Sequence, residues 1–474
     1  MNKMSKIKWL DWSKNSFQKS KKENKPIILD IMAVWCYWCK RLEQDTYEKE
    51  QVINFVNKNF IPIRVDTDKR PDINNRYNLG GWPTTAVLNL KGELISGAMY
   101  LPPSQMIDFL EDALSRFNKN ITVEKEIINE KTFENNSLEE LKNKILNSIK
   151  SLYDSRFGGF GYDQKFPHHN VIEFLLTTCE KDKESKEILI KTLTSMADGD
   201  IFDKEESGFF RYSTQQDWSQ PHYEKLLDDN ARLLKTYSIA YKLTNINKFK
   251  ETALKLISFI SNNFLAKQGF FYASQDADEE YYGLSLSERR KIKPPHIDKT
   301  LFTDFNCYAI NSFFTASEIL KDKELEKKAL KCLNFLIKNL LKSKGINNLY
   351  DKKSDNLFLL KNQLLFISSL LESNKKEYIK LAESLIKKVI SNFGTKEKTF
   401  YDILDSKNNF GYLKIRKIDL EENSLAIKVL LKLFEKTKNK KYYEFANKTI
   451  KSIKLRVNPG SIFSASFAEI INRK

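Results

Sequence analysis

At 474 residues the chain is long enough for two or three domains. Its 15 Gly and 11 Pro are too few turn formers for a many-stranded sandwich, and they exclude collagen-like or linker-rich architectures. The net charge of +17 is spread as +5 over residues 1–120 and +12 over the rest, with only 13 Arg among the 79 basic residues, so no basic stripe supports nucleic-acid binding.

Residues 1–17 are polar, carry Lys3, Lys6, Lys8 and Lys14 and lack an apolar core, so they are not expected to form a signal peptide. No apolar run of about 18 residues exists anywhere, which argues against a membrane span. Residues 26–32 form a short apolar run typical of a buried strand. A helix is expected from Tyr37 to about Tyr47, a second strand over 60–66, a short helix over 72–78 and a third strand over 84–89. Lys91-Gly92 turns the chain into a hairpin strand over 94–98. Residues 103–117 open with Pro and place apolar residues at 106, 107, 109, 110, 114 and 117, which is helical spacing. This reads as an α/β domain over 1–118, followed by a polar connector over 119–136.

From 137 to 474 the pattern is almost all helix, and it repeats. An Asn opens an apolar helix at Asn170, Asn230, Asn306, Asn362 and Asn423, and a Lys-rich helix follows each one. Gly-aromatic punctuations such as Gly208-Phe209-Phe210 and Gly269-Phe270-Phe271 separate the pairs. A hairpin of this kind cannot bury its apolar helix alone, so successive hairpins must stack. Six pairs, each with one apolar and one charged helix, fit a closed (α/α)6 toroid whose Asn-led helices form the inner ring. An open solenoid is the alternative.

The densest chemistry is Asp30…Trp35-Cys36-Tyr37-Trp38-Cys39-Lys40. Two Cys separated by two residues at a strand-to-helix junction put the first sulfur at a helix N-terminus, where the dipole favours thiolate. Cys36 is therefore the expected nucleophile and Cys39 the resolving thiol. Asp30, inside an apolar strand, is placed to relay a proton to Cys39. A zinc site is the competing reading, but residues 1–120 hold no His and no third Cys, so no metal is expected. Cys179, Cys307 and Cys332 sit singly in helical patterns and read as small buried apolar residues. Together the five Cys suit a reducing, cytoplasmic chain.

The run Ala33-Val34-Trp35-Cys36…Cys39-Lys40, then Val65-Asp66-Thr67-Asp68 and Gly81-Trp82-Pro83-Thr84, resembles thioredoxin. By that resemblance Pro83 is a cis-proline facing the Cys pair, with Trp38 and Trp82 beside the substrate. Arg70-Pro71-Asp72, Tyr100-Leu101-Pro102, Gly158-Gly159-Phe160-Gly161, Lys165-Phe166-Pro167, Pro221-His222-Tyr223-Glu224-Lys225-Leu226, Gln275-Asp276-Ala277-Asp278 and Asp304-Phe305-Asn306 extend the likeness over nearly the whole chain. Together these motifs resemble the spermatogenesis-associated protein 20 family, which implies a thioredoxin-like domain fused to a six-hairpin, glycosidase-like helical domain. Tyr37 stands where that family usually has His, and Asp30 where it often lacks an acid. The segment after Asp278 is shorter than the family's.

In the helical part, His222, Glu224, Asp229, Asp276, Asp278 and Asp304 lie at repeat junctions, which rim the mouth of a toroid. Paired carboxylates there suit acid–base work on a sugar, although Asp229 and Asp304 are equally well read as helix caps. Phe209, Tyr212 and Trp218 add an aromatic rim. The leading expectation is a thiol–disulfide oxidoreductase acting on a protein thiol or disulfide, or passing electrons from a reductase, with a toroid that recognises a partner or ligand. The alternatives are a carbohydrate-active enzyme of epimerase or glycosidase type, or a sugar-binding protein, with the thioredoxin module accessory. No dissociable cofactor is expected.

Overall fold

The computed structural model describes residues 6–123, 133, 136–351 and 356–473. It divides into two compact units: residues 1–129 with 405–416, and residues 130–404 with 417–474. The first unit takes in residues 405–416, a segment that the sequence pattern assigns to the helical part. Most of the expected connector lies outside the described residues.

The first unit opens with helix α1 (Lys14–Glu23), capped by Ser13. Strand β1 (Ile27–Met32) follows, then helix α2 (Tyr37–Leu42), which runs into a π-helical turn over Glu43–Tyr47. Next come α3 (Glu50–Asn59), β2 (Ile61–Asp66), α4 (Pro71–Tyr77), β3 (Thr84–Leu88), β4 (Leu94–Ala98) and α5 (Pro103–Asn118). The sheet order is β2-β1-β3-β4. β1 pairs parallel with β2, and β3 is antiparallel to both β1 and β4. Central β1 reads Ile-Ile-Leu-Asp-Ile-Met and is buried over its first five residues, as a strand covered on both faces must be. α1 and α3 were not marked by the strand-helix alternation alone. α3 shows a clear apolar stripe in hindsight, with Val52, Ile53 and Val56 inward.

Residues 405–416 complete this unit. The Tyr77 hydroxyl donates to the Gly92 carbonyl (2.7 Å) and accepts from the Tyr412 amide (2.8 Å), while the two rings stack at 5.0 Å. The Tyr412 hydroxyl accepts from the Leu94 amide (3.0 Å). Arg76 donates to the carbonyls of Tyr412 (3.0 Å) and Ile415 (2.9 Å). Gly411 is at φ 56°, and a Cβ on Gly92 would lie 2.6 Å from the Gly411 Cα. Only a Gly–Gly crossing lets the two backbones approach this closely.

Among the described residues of the second unit, twelve longer helices pair off. They are α6 (Leu138–Leu152), α7 (His169–Thr178), α8 (Lys183–Asp198), α9 (Leu227–Thr244) and α10 (Asn247–Phe259), then, after the two short helices α11 (Glu279–Tyr282) and α12 (Leu286–Arg289), α13 (Thr303–Leu320) and α14 (Lys323–Asn339). The set ends with α15 (Leu360–Glu372), α16 (Lys376–Phe393), α17 (Leu420–Thr437), α18 (Lys440–Ile453) and α19 (Ala465–Arg473). α7 packs on α9, α9 on α13, α13 on α15, α15 on α17, α17 on α19, and α19 back on α7. The ring is closed, which excludes the open solenoid. Inner α13 has twelve buried residues around its circumference, whereas outer α14 has five on one stripe, as the two environments require.

The repeated Asn has a structural job. The Asn230 carboxamide accepts from the Phe209 amide (2.7 Å) and donates to the carbonyls of Phe209 (3.0 Å) and Leu226 (2.8 Å). Asn306 clamps Phe271 (2.7 and 3.0 Å) and Asn423 clamps Phe400 (2.8 and 2.9 Å) in the same way. The inner helices α9, α13 and α17 thus each hold the aromatic loop that precedes them by standing in for a strand partner. In α15 the clamp passes to Gln363, bonded to the Ile346 amide and carbonyl at 2.7 Å each. Asn362 instead donates to Asn348 (2.7 Å), and Asn170 accepts from Arg232 (2.7 Å).

Candidate functional site

Two groups of side chains carry chemistry, one in each unit. In the first, Cys36 is the N-cap of α2, and its sulfur accepts from the Cys39 amide at 3.2 Å. Both thiols are free and buried, Cys36 at 4% exposure and Cys39 at 7%. Burial drives the Cys39 thiol far above the usual range, and the adjacent Cys36 adds to the effect. Trp82–Pro83 is a cis peptide, and Pro83 is buried. The Trp35 indole donates to Asp68 (2.8 Å) and meets the Trp82 ring edge-on at 5.7 Å. Trp38 is 44% exposed, flanked edge-on by Tyr37 and Tyr100.

Asp30 is buried, and burial raises its carboxyl pKa against the pull of Arg64. Arg64 stands opposite it in the β1–β2 register and donates to it at 2.6 Å. The same guanidinium bonds Glu43 and lies 4.2 Å from the Trp9 ring centre. Asp30 is therefore held in an ion pair on one oxygen while Oδ1 stays without a hydrogen bond. The sequence reading missed Arg64 and Glu43. The signal was there: a single Arg in Ile-Pro-Ile-Arg-Val, a strand otherwise apolar, requires a buried acid.

In the second unit the first turns of α9, α13, α15 and α17 are close enough for Asp228, Asp304, Lys361 and Glu421 to act on one another. Asp229 accepts from His169 Nε2 (2.9 Å), and Asp304 pairs with Lys361 (3.4 Å). Neither Asp is a cap. The N-cap positions are Leu226 and Phe302, without side-chain caps, so the capping alternative falls. Arg232 bonds Glu173 (3.0 Å), and both Arg232 and Lys361 lie over the Tyr308 ring. Burial and the neighbouring Asp229 push Asp228 up to about 7, while Arg232 and Lys428 hold Glu173 down at about 2 against its burial.

The remaining expected residues divide. His222 stacks on Tyr212 at 4.4 Å, with Nδ1 3.6 Å from Glu224 Oε1. Glu224 is buried, and the strand pairing Lys225↔Gln275 places it opposite Asp276. Asp276 lies 3.7 Å from His296. Asp278 differs: its carboxylate caps α11 by accepting from the Tyr281 amide (2.9 Å). Of the expected aromatic rim, Phe209 and Trp218 are fully buried core residues. Asp228, His169, Arg232, Tyr308 and Lys361 went unread. Asp228, His169 and Lys361 are marked by polar chemistry in the first turns of otherwise apolar helices, and Arg232 and Tyr308 lie one turn further in.

A short four-stranded sheet bearing a Cys-x-x-Cys at a helix start, together with a closed ring of six helical hairpins, defines a thioredoxin-like domain joined to an (α/α)6 toroid. Residues 1–150 match the family model described as Thioredox_DsbH, protein of unknown function DUF255. The chain is similar to spermatogenesis-associated protein 20. It is 28% identical to the human protein over 340 residues, covering 61% of this chain and 42% of that protein. It is also 35% identical to Caenorhabditis elegans protein B0495.5 over 307 residues, covering 57% of this chain and 41% of that one. The match thus spans about two fifths of the length of these relatives. Among solved structures, the cellobiose 2-epimerase of Bacillus thermoamylovorans superposes with TM-score 0.54 at 12% identity, over 67% of this chain and 87% of that one. That likeness is one of fold. No helix among the described residues is long and apolar enough to cross a membrane.

Proposed function

We propose that the protein is a thiol–disulfide oxidoreductase acting through Cys36 and Cys39 in the cytoplasm, with the toroid as its recognition module. The observation that carries this reading is the Cys36 sulfur at the start of α2, accepting the Cys39 amide at 3.2 Å, where helix N–H groups stabilise a thiolate. The Cys36 thiolate attacks one sulfur of a substrate disulfide, forms a mixed disulfide and expels the first substrate thiolate. Cys39 gives up its proton and attacks Cys36 Sγ, which releases the second thiolate and leaves a Cys36–Cys39 disulfide. Two electrons pass to the substrate, and an external dithiol reductant restores the pair. Asp30, buried behind the pair and electrostatically coupled to Cys39, is the group to take the Cys39 proton.

The test is a redox titration of the full chain in dithiothreitol buffers, followed by mass, with glutathione disulfide as probe. A reversible loss of two hydrogens in wild type is expected, with a Cys36–glutathione adduct accumulating in Cys39→Ser and none in Cys36→Ser. If Cys36 remains a thiol throughout, the redox reading is wrong.

A further inference from the structure

Arg64 divides its guanidinium between two carboxylates. Nε donates to Asp30 Oδ2 at 2.6 Å, and Nη2 donates to Glu43. These two N–H groups share one edge of the guanidinium and form the fork that grips both oxygens of a single carboxylate in a bidentate pair. Here the fork is split. Asp30 is 2% exposed, yet its Oδ1 makes no hydrogen bond among the described residues, and the N–H that would complete the fork is engaged by Glu43. The guanidinium is flanked by the rings of Trp9 and Tyr47, whose centres lie 4.2 and 5.6 Å from it, so its plane is fixed.

Glu43 is placed by the helix that carries the thiols. Its amide donates to the carbonyls of Cys39 and Lys40, so it stands one turn beyond Cys39, at the start of the π-helical turn. The other charged and titratable groups around Asp30 are Arg64 from β2, Tyr47 from the same turn, and Cys39 from α2 with Cys36 beside it. On the other side, β3 sets the uncharged Thr85 opposite Asp30. One cation between two carboxylates leaves negative charge in excess next to Asp30. Burial raises the Asp30 carboxyl, Arg64 opposes the rise and Glu43 adds to it. We propose that Glu43 is a positioning residue for the resolving step: by drawing off one arm of Arg64, it keeps Asp30 basic enough to take the Cys39 proton. This rests on the dithiol reading and adds a part to it. In that step the Cys39 S–H proton passes to Asp30 and the Cys39 thiolate bonds to Cys36 Sγ. The bond from Cys36 to the substrate sulfur breaks, and its electron pair leaves on the substrate thiolate. With Glu43 neutral, both arms of Arg64 are free to close on Asp30, which becomes a weaker base. The first attack, by the Cys36 thiolate, hands no proton to Asp30 and is spared.

The experiment mixes the reduced full chain with one equivalent of dithiobis(nitrobenzoate). Its coloured thiolate is released once when Cys36 attacks and again when Cys39 resolves the mixed disulfide. The rate of the second release is followed against pH. Glu43→Gln is expected to move that profile to lower pH by about half a unit and to lower its plateau about threefold. The first release should change less than about twofold. Glu43→Asp, which keeps the charge, should recover most of the wild-type profile. Glu43 is 39% exposed, so both variants are expected to fold, with tryptophan fluorescence as the check. In an Asp30→Asn background Glu43→Gln should change nothing further, because its effect runs through Asp30. A Glu43→Gln profile that superimposes on wild type, an equal slowing of both releases, or an effect undiminished in the Asp30→Asn background would overturn the role of Glu43 and leave the dithiol reading standing. A wild type that releases the coloured thiolate only once would overturn the dithiol reading, and this proposal with it.

Discussion

Asp30 and Asp228 are both buried carboxyls with raised pKa values, yet they answer to different neighbours. Asp30 has Arg64, so removing Arg64 strands a charge. Arg64→Leu is expected to destabilise the first unit by about 3 kcal/mol, the low end for breaking a buried pair because Arg64 is partly exposed, and adding Asp30→Asn should recover most of it. Five of the six Trp lie before residue 83, so tryptophan fluorescence during urea unfolding reports this unit. For Asp228 the folded pKa of about 7 exceeds an unfolded value near 3.9. Its contribution to stability is therefore fully present below about pH 4 and lost as pH rises through 7. The stability of Asp228→Asn relative to wild type should rise between pH 5 and pH 8 by on the order of 1 kcal/mol. A flat difference in thermal scans across that range would show that Asp228 is not the titrating group. Cys36, as the attacking sulfur, should be alkylated by iodoacetamide before Cys39 in the native chain, because burial raises the Cys39 thiol and only a thiolate attacks; equal rates at the two sulfurs would contradict their assigned roles.

The repeats show which elements a sequence can announce. Helix spacing and the recurring Asn mark the inner ring in the sequence itself, because an all-round apolar helix can only be buried and closure of six such helices is the way to bury them all. What periodicity does not carry is partnership: Arg64 meets Asp30 across a strand register, and Lys361 meets Asp304 across two helices far apart in sequence. The residues of the mouth were half legible for that reason, since repeat junctions mark Asp229 and Asp304 while nothing in the spacing names His169 and Lys361, in the first turns of other helices, as their partners. The loop clamps give a sharp test at this scale. Asn306→Ala loses four buried hydrogen bonds and leaves the Phe271 amide unpaired, a cost of about 2–4 kcal/mol. In α15 the larger loss should come from Gln363→Ala and the smaller from Asn362→Ala, as read by thermal unfolding, reversing what the Asn spacing alone implies.

Across the whole chain, the two units interleave in sequence, with residues 405–416 assigned to the first unit although both flanks belong to the second. Composition could not reveal this, because Asn-Asn-Phe-Gly-Tyr reads as one more Gly-aromatic junction. Its distinguishing feature is Tyr412, whose ring, hydroxyl and amide are all engaged by α4 and the β3–β4 hairpin. Tyr412→Ala in the full chain should therefore raise amide exchange over residues 71–98 while leaving the core of α13 and α15 protected. Exchange that rises equally in both units would contradict the division.

That insertion also sets a schedule. A ribosome finishes residue 129 nearly 290 residues before it reaches 416, an interval of roughly 15–60 s at the usual elongation rates. Throughout that interval the nascent sheet has its Cys pair in place but lacks the peptide that seals Tyr77 and the edge at Leu94. A domain that would normally fold as soon as it emerges must instead wait for a segment made nearly 290 residues later, leaving its thiols and an unsealed edge in the care of whatever attends the emerging polypeptide.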